Sequence, residues 1–223
     1  MSNRGYYLKK YIETIDIEHE DILNEFKFTT SELKDYKALL ENFINTNSNN
    51  ASSTTEKGNS LEEIVSFIMK KSIIFSVYRN VRTSTNEIDL LIHLNHRGQA
   101  MLEDGLIPKY PPLLCECKNY NTSISVTWVG KFYSLLKTSN NSIGILFSYK
   151  GFSGKGWTNA HGLAKKVFLI DQTKVIDFSI DDFKALANKK SFLEILDKKI
   201  FNIENDVCIN QFITSHPNEQ EFI

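Results

Sequence analysis

The chain has 223 residues, of which 41% are hydrophobic and 24% charged, and its formal net charge is −1. This is ordinary globular composition, long enough to bury a real core, and it contains no apolar run of the ~18–20 residues that a membrane-spanning helix needs. The charge is unevenly spread: residues 1–56 carry 6 Lys/Arg against 10 Asp/Glu, 57–178 carry 15 against 9, and 179–223 carry 5 against 8, so a basic centre lies between acidic flanks.

Residues 1–45 read as a helical N-terminal segment. An early helix is expected around Ile22, Leu23 and Phe26. Thr29-Thr30-Ser31-Glu32 has the form of a capping box, and Leu33, Tyr36, Leu39, Leu40, Phe43 and Ile44 follow at helical spacing. Residues 46–57 are polar and of low complexity, and read as a linker and domain boundary. A core is expected over 58–178. Its first helix is expected to start near Asn59-Ser60, capped by Ser60 with Glu63 or Asn59 with Glu62, with Leu61, Ile64, Val65 and Ile68 as its apolar stripe.

Strands are expected over 73–81, 87–94 and 113–118, the last two separated by a long connection with Gly, Pro and charges. A helix over 126–137 follows, then a nearly continuous apolar strand over 143–149 of the kind buried on both faces. After a loop at 151–156, the pattern predicts a short helix at 157–166, short strands at 167–170 and 175–178, and an amphipathic helix over 181–201 within a C-terminal segment 179–223. This order gives an α/β sandwich with a mixed central β-sheet flanked by helices.

Strand alternation places Glu116 and Lys118 on one face of an otherwise apolar strand, with Cys115 and Cys117 on the other. Asp89 interrupts the neighbouring strand in the same way. Charge in such a setting needs compensation by a metal, a substrate or a partner. Two carboxylates on adjacent strands offer only oxygen donors, which suits Mg2+. The three cysteines, Cys115, Cys117 and Cys208, are odd in number, and the lone Cys-x-Cys has no second ligand pair, which speaks against a disulfide framework and against zinc. The start of the chain has no apolar stretch of signal-peptide type, so a cytoplasmic location is the expectation.

Asp89, then Glu116-Cys117-Lys118, resembles the D…(D/E)-x-K pattern of the PD-(D/E)xK nuclease superfamily. Within it the chain is most similar to Mrr-type restriction endonucleases: Gly58-Asn59-Ser60-Leu61-Glu62 resembles their opening Gly-x-x-(Leu/Phe)-Glu, and 151–171 their late helix and closing strand. Two positions depart from the pattern. Ile88 stands where proline is common, and Glu116 where Mrr-type members often have Gln. The resemblance covers about 57–178 and implies a restriction-endonuclease-like fold. It further implies that Asp89 and Glu116 bind Mg2+, with Mn2+ able to substitute, that the backbone carbonyl of Cys117 completes the shell, and that Lys118 positions the attacking water. Glu62, or else its neighbour Glu63, would hold an outer water or a second metal.

The function so implied is an Mg2+-dependent endonuclease on DNA, of restriction or defence type, working as a homodimer or with a defence-system partner protein. Lys150 and Lys155 flank a Gly-rich loop and are candidate phosphate contacts. Tyr120 and Trp128 are candidates for a substrate groove or for the core, and His93 and His161 read as ordinary hydrogen-bonded or surface residues. The rival readings are a binding module without catalysis, a subunit of a defence complex, and a nuclease for RNA or branched DNA. No P-loop is present in the sequence, which argues against ATP-driven translocation by this chain.

Overall fold

The computed structural model describes residues 24–82, 87–107, 110–154, 156 and 158–205. The expected positions Ile22, Leu23, Lys155 and Cys208 lie outside them. Helix α1 (Thr30–Ser48) starts at the expected box: the Thr29 hydroxyl accepts the Glu32 N–H, and the Glu32 carboxylate accepts the Thr29 N–H at 3.0 Å. Helix α2 (Thr54–Lys71) starts at Thr54, not near Asn59-Ser60. Its cap is a second box, with the Ser53 N–H donating to Glu56 at 2.7 Å and the Ser53 hydroxyl accepting from the Glu56 N–H at 3.2 Å. The expected linker 46–57 is therefore helical at both ends, and residues 49–53 alone connect α1 to α2.

The remaining elements are β1 (Phe75–Arg82), β2 (Glu87–Leu94), α3 (His96–Glu103), β3 (Leu113–Cys117), α4 (Val126–Thr138), β4 (Ile143–Phe147), α5 (Ala160–Asp171), β5 (Lys174–Phe178), α6 (Ile180–Ala187) and α7 (Phe192–Asn205). The strands form one mixed sheet in chain order, antiparallel from β1 to β3 and parallel from β3 to β5. The α/β sandwich expected from the sequence is the one observed.

Three local expectations are corrected. Residues 167–170 belong to α5 rather than to a strand. Val167 and Phe168 are buried while Leu169 and Ile170 are 60% and 75% exposed, which is helical phase and not alternation. The helix ends at Gln172, in the left-handed region with φ 62°. The expected helix 181–201 is two helices. α6 stops before Lys189, which has φ 65°, and α7 opens on a further reciprocal pair between Ser191 and Glu194. The long connection before β3 carries α3, capped by the Asn95 side chain.

Helices cover both faces of the sheet. On one side α1, α2, α6 and α7 bury Tyr36, Phe43, Ile64, Phe183 and Leu196 against Ile92, Cys115, Phe147 and Phe178. On the other, α4 and α5 bury Val129, Phe132, Ala164 and Val167 against Leu114, Leu146 and Val175. β4 is buried along its whole length, as its apolar run requires. The Tyr36 hydroxyl donates to the Phe183 carbonyl at 2.8 Å, and Lys71 pairs with Glu32 at 3.0 Å, so α1 is tied both to α2 and to the start of the C-terminal segment. Among the described residues no helix is long and apolar enough to cross a membrane.

Candidate active site

The site arises where the ladder between β2 and β3 gives out and the one between β1 and β2 skips a pair. In β2 and β3, Leu90 pairs with Cys115, Leu91 with Leu114 and Ile92 with Leu113. One step further Asp89 comes level with Glu116. On its other side, Asp89 would stand across from Asn80, but Asn80 adopts φ 48° and the pairing passes from Arg79–Leu90 to Val81–Ile88 without it. The strand turns over at this point: Leu90 joins the core under α2, while Ile88 joins the core under α4 and α5. The Asp89 carboxylate takes up the role of a ladder acceptor, receiving the Cys117 N–H on Oδ2 at 2.8 Å.

Glu116 lies on the α4 face of β3 and is only 9% exposed. The Lys118 ammonium stands 2.5 Å from Glu116 Oε2 and 3.7 Å from Asp89 Oδ2. The Lys118 N–H donates to the Phe147 carbonyl at 2.8 Å, which extends the β3–β4 pairing by a residue and fixes where the side chain leaves the sheet. Burial pushes the Glu116 carboxyl upward. Lys118 draws it back and the neighbouring Asp89 raises it again, so it stays above its ordinary value. Burial acts on Lys118 in the opposite sense, but Glu116 and Asp89 outweigh it and hold the ammonium protonated.

The structure thus brings Asp89, Glu116, Cys117 and Lys118 together. Glu62 and Glu63 are mid-helix and exposed, freed from capping by the earlier start of α2. Glu62 lines a cleft of about 60 Å3 with Asp89, Cys117 and Arg79, whereas Glu63 faces only the broader opening beyond it. The Cys117 thiol is pushed well up by burial, so a thiolate ligand is disfavoured there and the residue's available oxygen is its backbone carbonyl. Among the described residues no three acidic, His or Cys side chains converge closely enough to grip a metal as they stand. The donor set nevertheless suits a hard cation. It is all oxygen, and Glu116 Oε2 is sealed from solvent with the ammonium against it but no donor in hydrogen-bond geometry.

Lys150 is exposed on the loop after β4 and lines neither this cleft nor the one under α4. His93 has local roles: Nδ1 lies 2.9 Å from the Leu94 carbonyl and the ring stacks on Tyr78. His161 packs edge-on against Phe152. Sequence reasoning missed a clasp behind Lys118. Lys57 is 5% exposed; its ammonium donates to Asn121 Oδ1 at 2.7 Å and its carbonyl accepts from Asn119 Nδ2. The two asparagines flanking Tyr120, directly after Lys118, were the available signal, but Lys57 fell in the expected linker.

The Mrr catalytic-domain family, described as restriction endonuclease, matches residues 54–179. The match opens on the first residue of α2 and closes on the residue that caps α6, so it spans the whole sheet and more than half of the chain. Neither a curated protein nor a solved structure matches the chain. The sheet, the flanking helices and this match together establish that the chain belongs to the Mrr-type restriction endonuclease family and has a restriction-endonuclease-like fold.

Proposed function

We propose that the protein is an Mg2+-dependent endonuclease that hydrolyses DNA phosphodiester bonds, of restriction or defence type, with Mn2+ able to substitute. The observation that carries this reading is the convergence of Lys118 on the two carboxylates of Asp89 and Glu116 at the point where β2 and β3 part. A divalent cation, when bound, supplies charge for the phosphoryl oxygens and lowers the pKa of a water. Asp89, Glu116 and the Cys117 carbonyl are the residues that would hold it, and Glu62 faces the same cleft from α2. Lys118, kept cationic by its two carboxylates, orients the attacking water and offsets the negative charge growing on the phosphate. One such site per chain cuts one strand, so double-strand cleavage calls for two copies, and a homodimer is the simplest arrangement. The cytoplasm, where such DNA is met, is the fitting location.

The test uses supercoiled plasmid, methylated and unmethylated, in Mg2+, in Mn2+ and in EDTA. Nicking or linearisation should require the cation. Lys118→Ala and Asp89→Ala should each slow it by roughly 100-fold or more, the scale for losing a group that stabilises transition-state charge. Glu62→Ala should slow it and Glu63→Ala should not. Wild-type cutting by both Lys118→Ala and Asp89→Ala would place the activity elsewhere.

A further inference from the structure

On the α4 side of the sheet, Glu116 opens into a cleft of about 230 Å3 floored by Leu146 and walled by Trp128, Lys131 and Phe132. The Trp128 indole stacks on the Tyr120 ring, with centroids 5.6 Å apart and planes at 29°. Two ammonium groups address the same indole: Lys131 at 4.8 Å and Lys118 at 5.6 Å from the ring centre. Tyr120 is 39% exposed. Its neighbours on both sides, Asn119 and Asn121, are bonded to Lys57, so the ring is held in place without being covered.

Large aromatic rings normally bury their faces in the core or in an interface. Here a pair of them is stacked at the rim of a charged cleft and anchored from behind. A nucleotide presents a flat ring and an anion, and the complementary surface is an aromatic face beside a lysine. A base inside a paired duplex has both faces covered by its neighbours and offers none to Tyr120. An unpaired base does.

We propose that Tyr120 and Trp128 form a stacking platform for an unpaired nucleobase next to the phosphate to be cut, with Lys131 on the adjoining backbone. The preferred substrate is then DNA with single-stranded or gapped segments rather than fully paired duplex. The proposal rests on the nuclease reading above. Lys118 joins the two functions, since its ammonium touches Glu116 and also lies against the Trp128 ring.

The chain has two tryptophans, so Trp157→Phe leaves Trp128 as the sole indole. This protein is titrated in EDTA, where nothing turns over, at roughly 0.15 M salt so that bare phosphate attraction is screened. The probes are a single strand, a gapped duplex and a fully paired duplex of one sequence. Trp128 emission should be quenched by the first two and little by the third. Affinities are also read by anisotropy of labelled DNA on the protein that keeps both tryptophans, so the result does not depend on the Trp157 variant folding. Tyr120→Ala should weaken binding to the gapped duplex by on the order of tenfold, and Tyr120→Phe should restore it, because stacking needs only the ring. Equal quenching and affinity for all three DNAs, or a Tyr120→Ala protein that binds the gapped duplex as tightly as wild type, would overturn the platform. Those results leave the nuclease reading standing if plasmid cutting still needs Lys118. That reading fails separately, if cutting survives Lys118→Ala and Asp89→Ala.

Discussion

A carboxyl group inside an apolar sheet has to find compensation, and three of them here find it differently. Asp89 takes a backbone N–H, and Glu116 takes an ammonium. Asp177 lies in the same cross-strand row as Glu116, through Leu146, but its Oδ1 is sealed without a donor. Burial pushes the Asp177 carboxyl up from 3.8 to about 6, with Lys199 opposing and Asp182 adding to the rise. Between those values the folded chain keeps a proton that the unfolded chain releases. Its contribution to stability is therefore full below 3.8 and is lost as the pH rises through about 6. Asp177→Asn should stabilise the protein at pH ~8 by about 1–2 kcal/mol and make little difference near pH ~4, as read from urea midpoints. An equal effect at both pH values would mean that the proton is not the cause. Gly144 marks another tight place. A methyl group on it would come within 2.6 Å of the Phe132 ring and 2.8 Å of Leu136, because α4 rests directly on β4. Gly144→Ala should cost about 1–3 kcal/mol by overpacking. An unchanged urea midpoint would show that α4 yields easily.

At the scale of elements, the short-range signals were legible wherever they stood beside an apolar stripe. The Thr29–Glu32 box announced α1 correctly. The similar Ser53–Glu56 pair lies in a polar stretch, which hides the true start of α2, and the Ser191–Glu194 pair lies inside one continuous amphipathic pattern, which hides the break between α6 and α7. The segment 167–170 has the composition of a strand, but its burial follows a helix, since the sheet beside it offers one apolar face to pack on. α1 follows the same logic. Its sequence reads as an appendage ahead of a linker, yet Tyr36 bonds a carbonyl 147 residues further along the chain. Tyr36→Phe removes the hydroxyl's hydrogen bond to the Phe183 carbonyl and should cost about 0.5–1.5 kcal/mol. A midpoint in urea within error of wild type would show that water replaces the hydroxyl.

At the scale of the molecule, the sequence disclosed the sheet's strands, the α/β class and the pattern Asp89…Glu116-x-Lys118, because alternation and charge in apolar strands are local facts. It did not disclose that α1, α6 and α7 share one face with α2, since that depends on which apolar stripes meet. Nor did it disclose the Lys57 clasp or the rings it presents, which depend on a loop's path across the end of a helix. The contact between Lys118 and Glu116 has a practical consequence. The most buried acid of the site already has a counter-charge within the chain, so on the proposed reading withdrawing divalent cations would stop cleavage without loosening the fold. Its melting midpoint in EDTA should lie within about 5 °C of that in millimolar Mg2+, and unfolding on chelation would instead make the cation structural. If the proposed function holds, a chain built this way could be purified, stored and laid onto DNA in a silent form, then started by adding the cation alone.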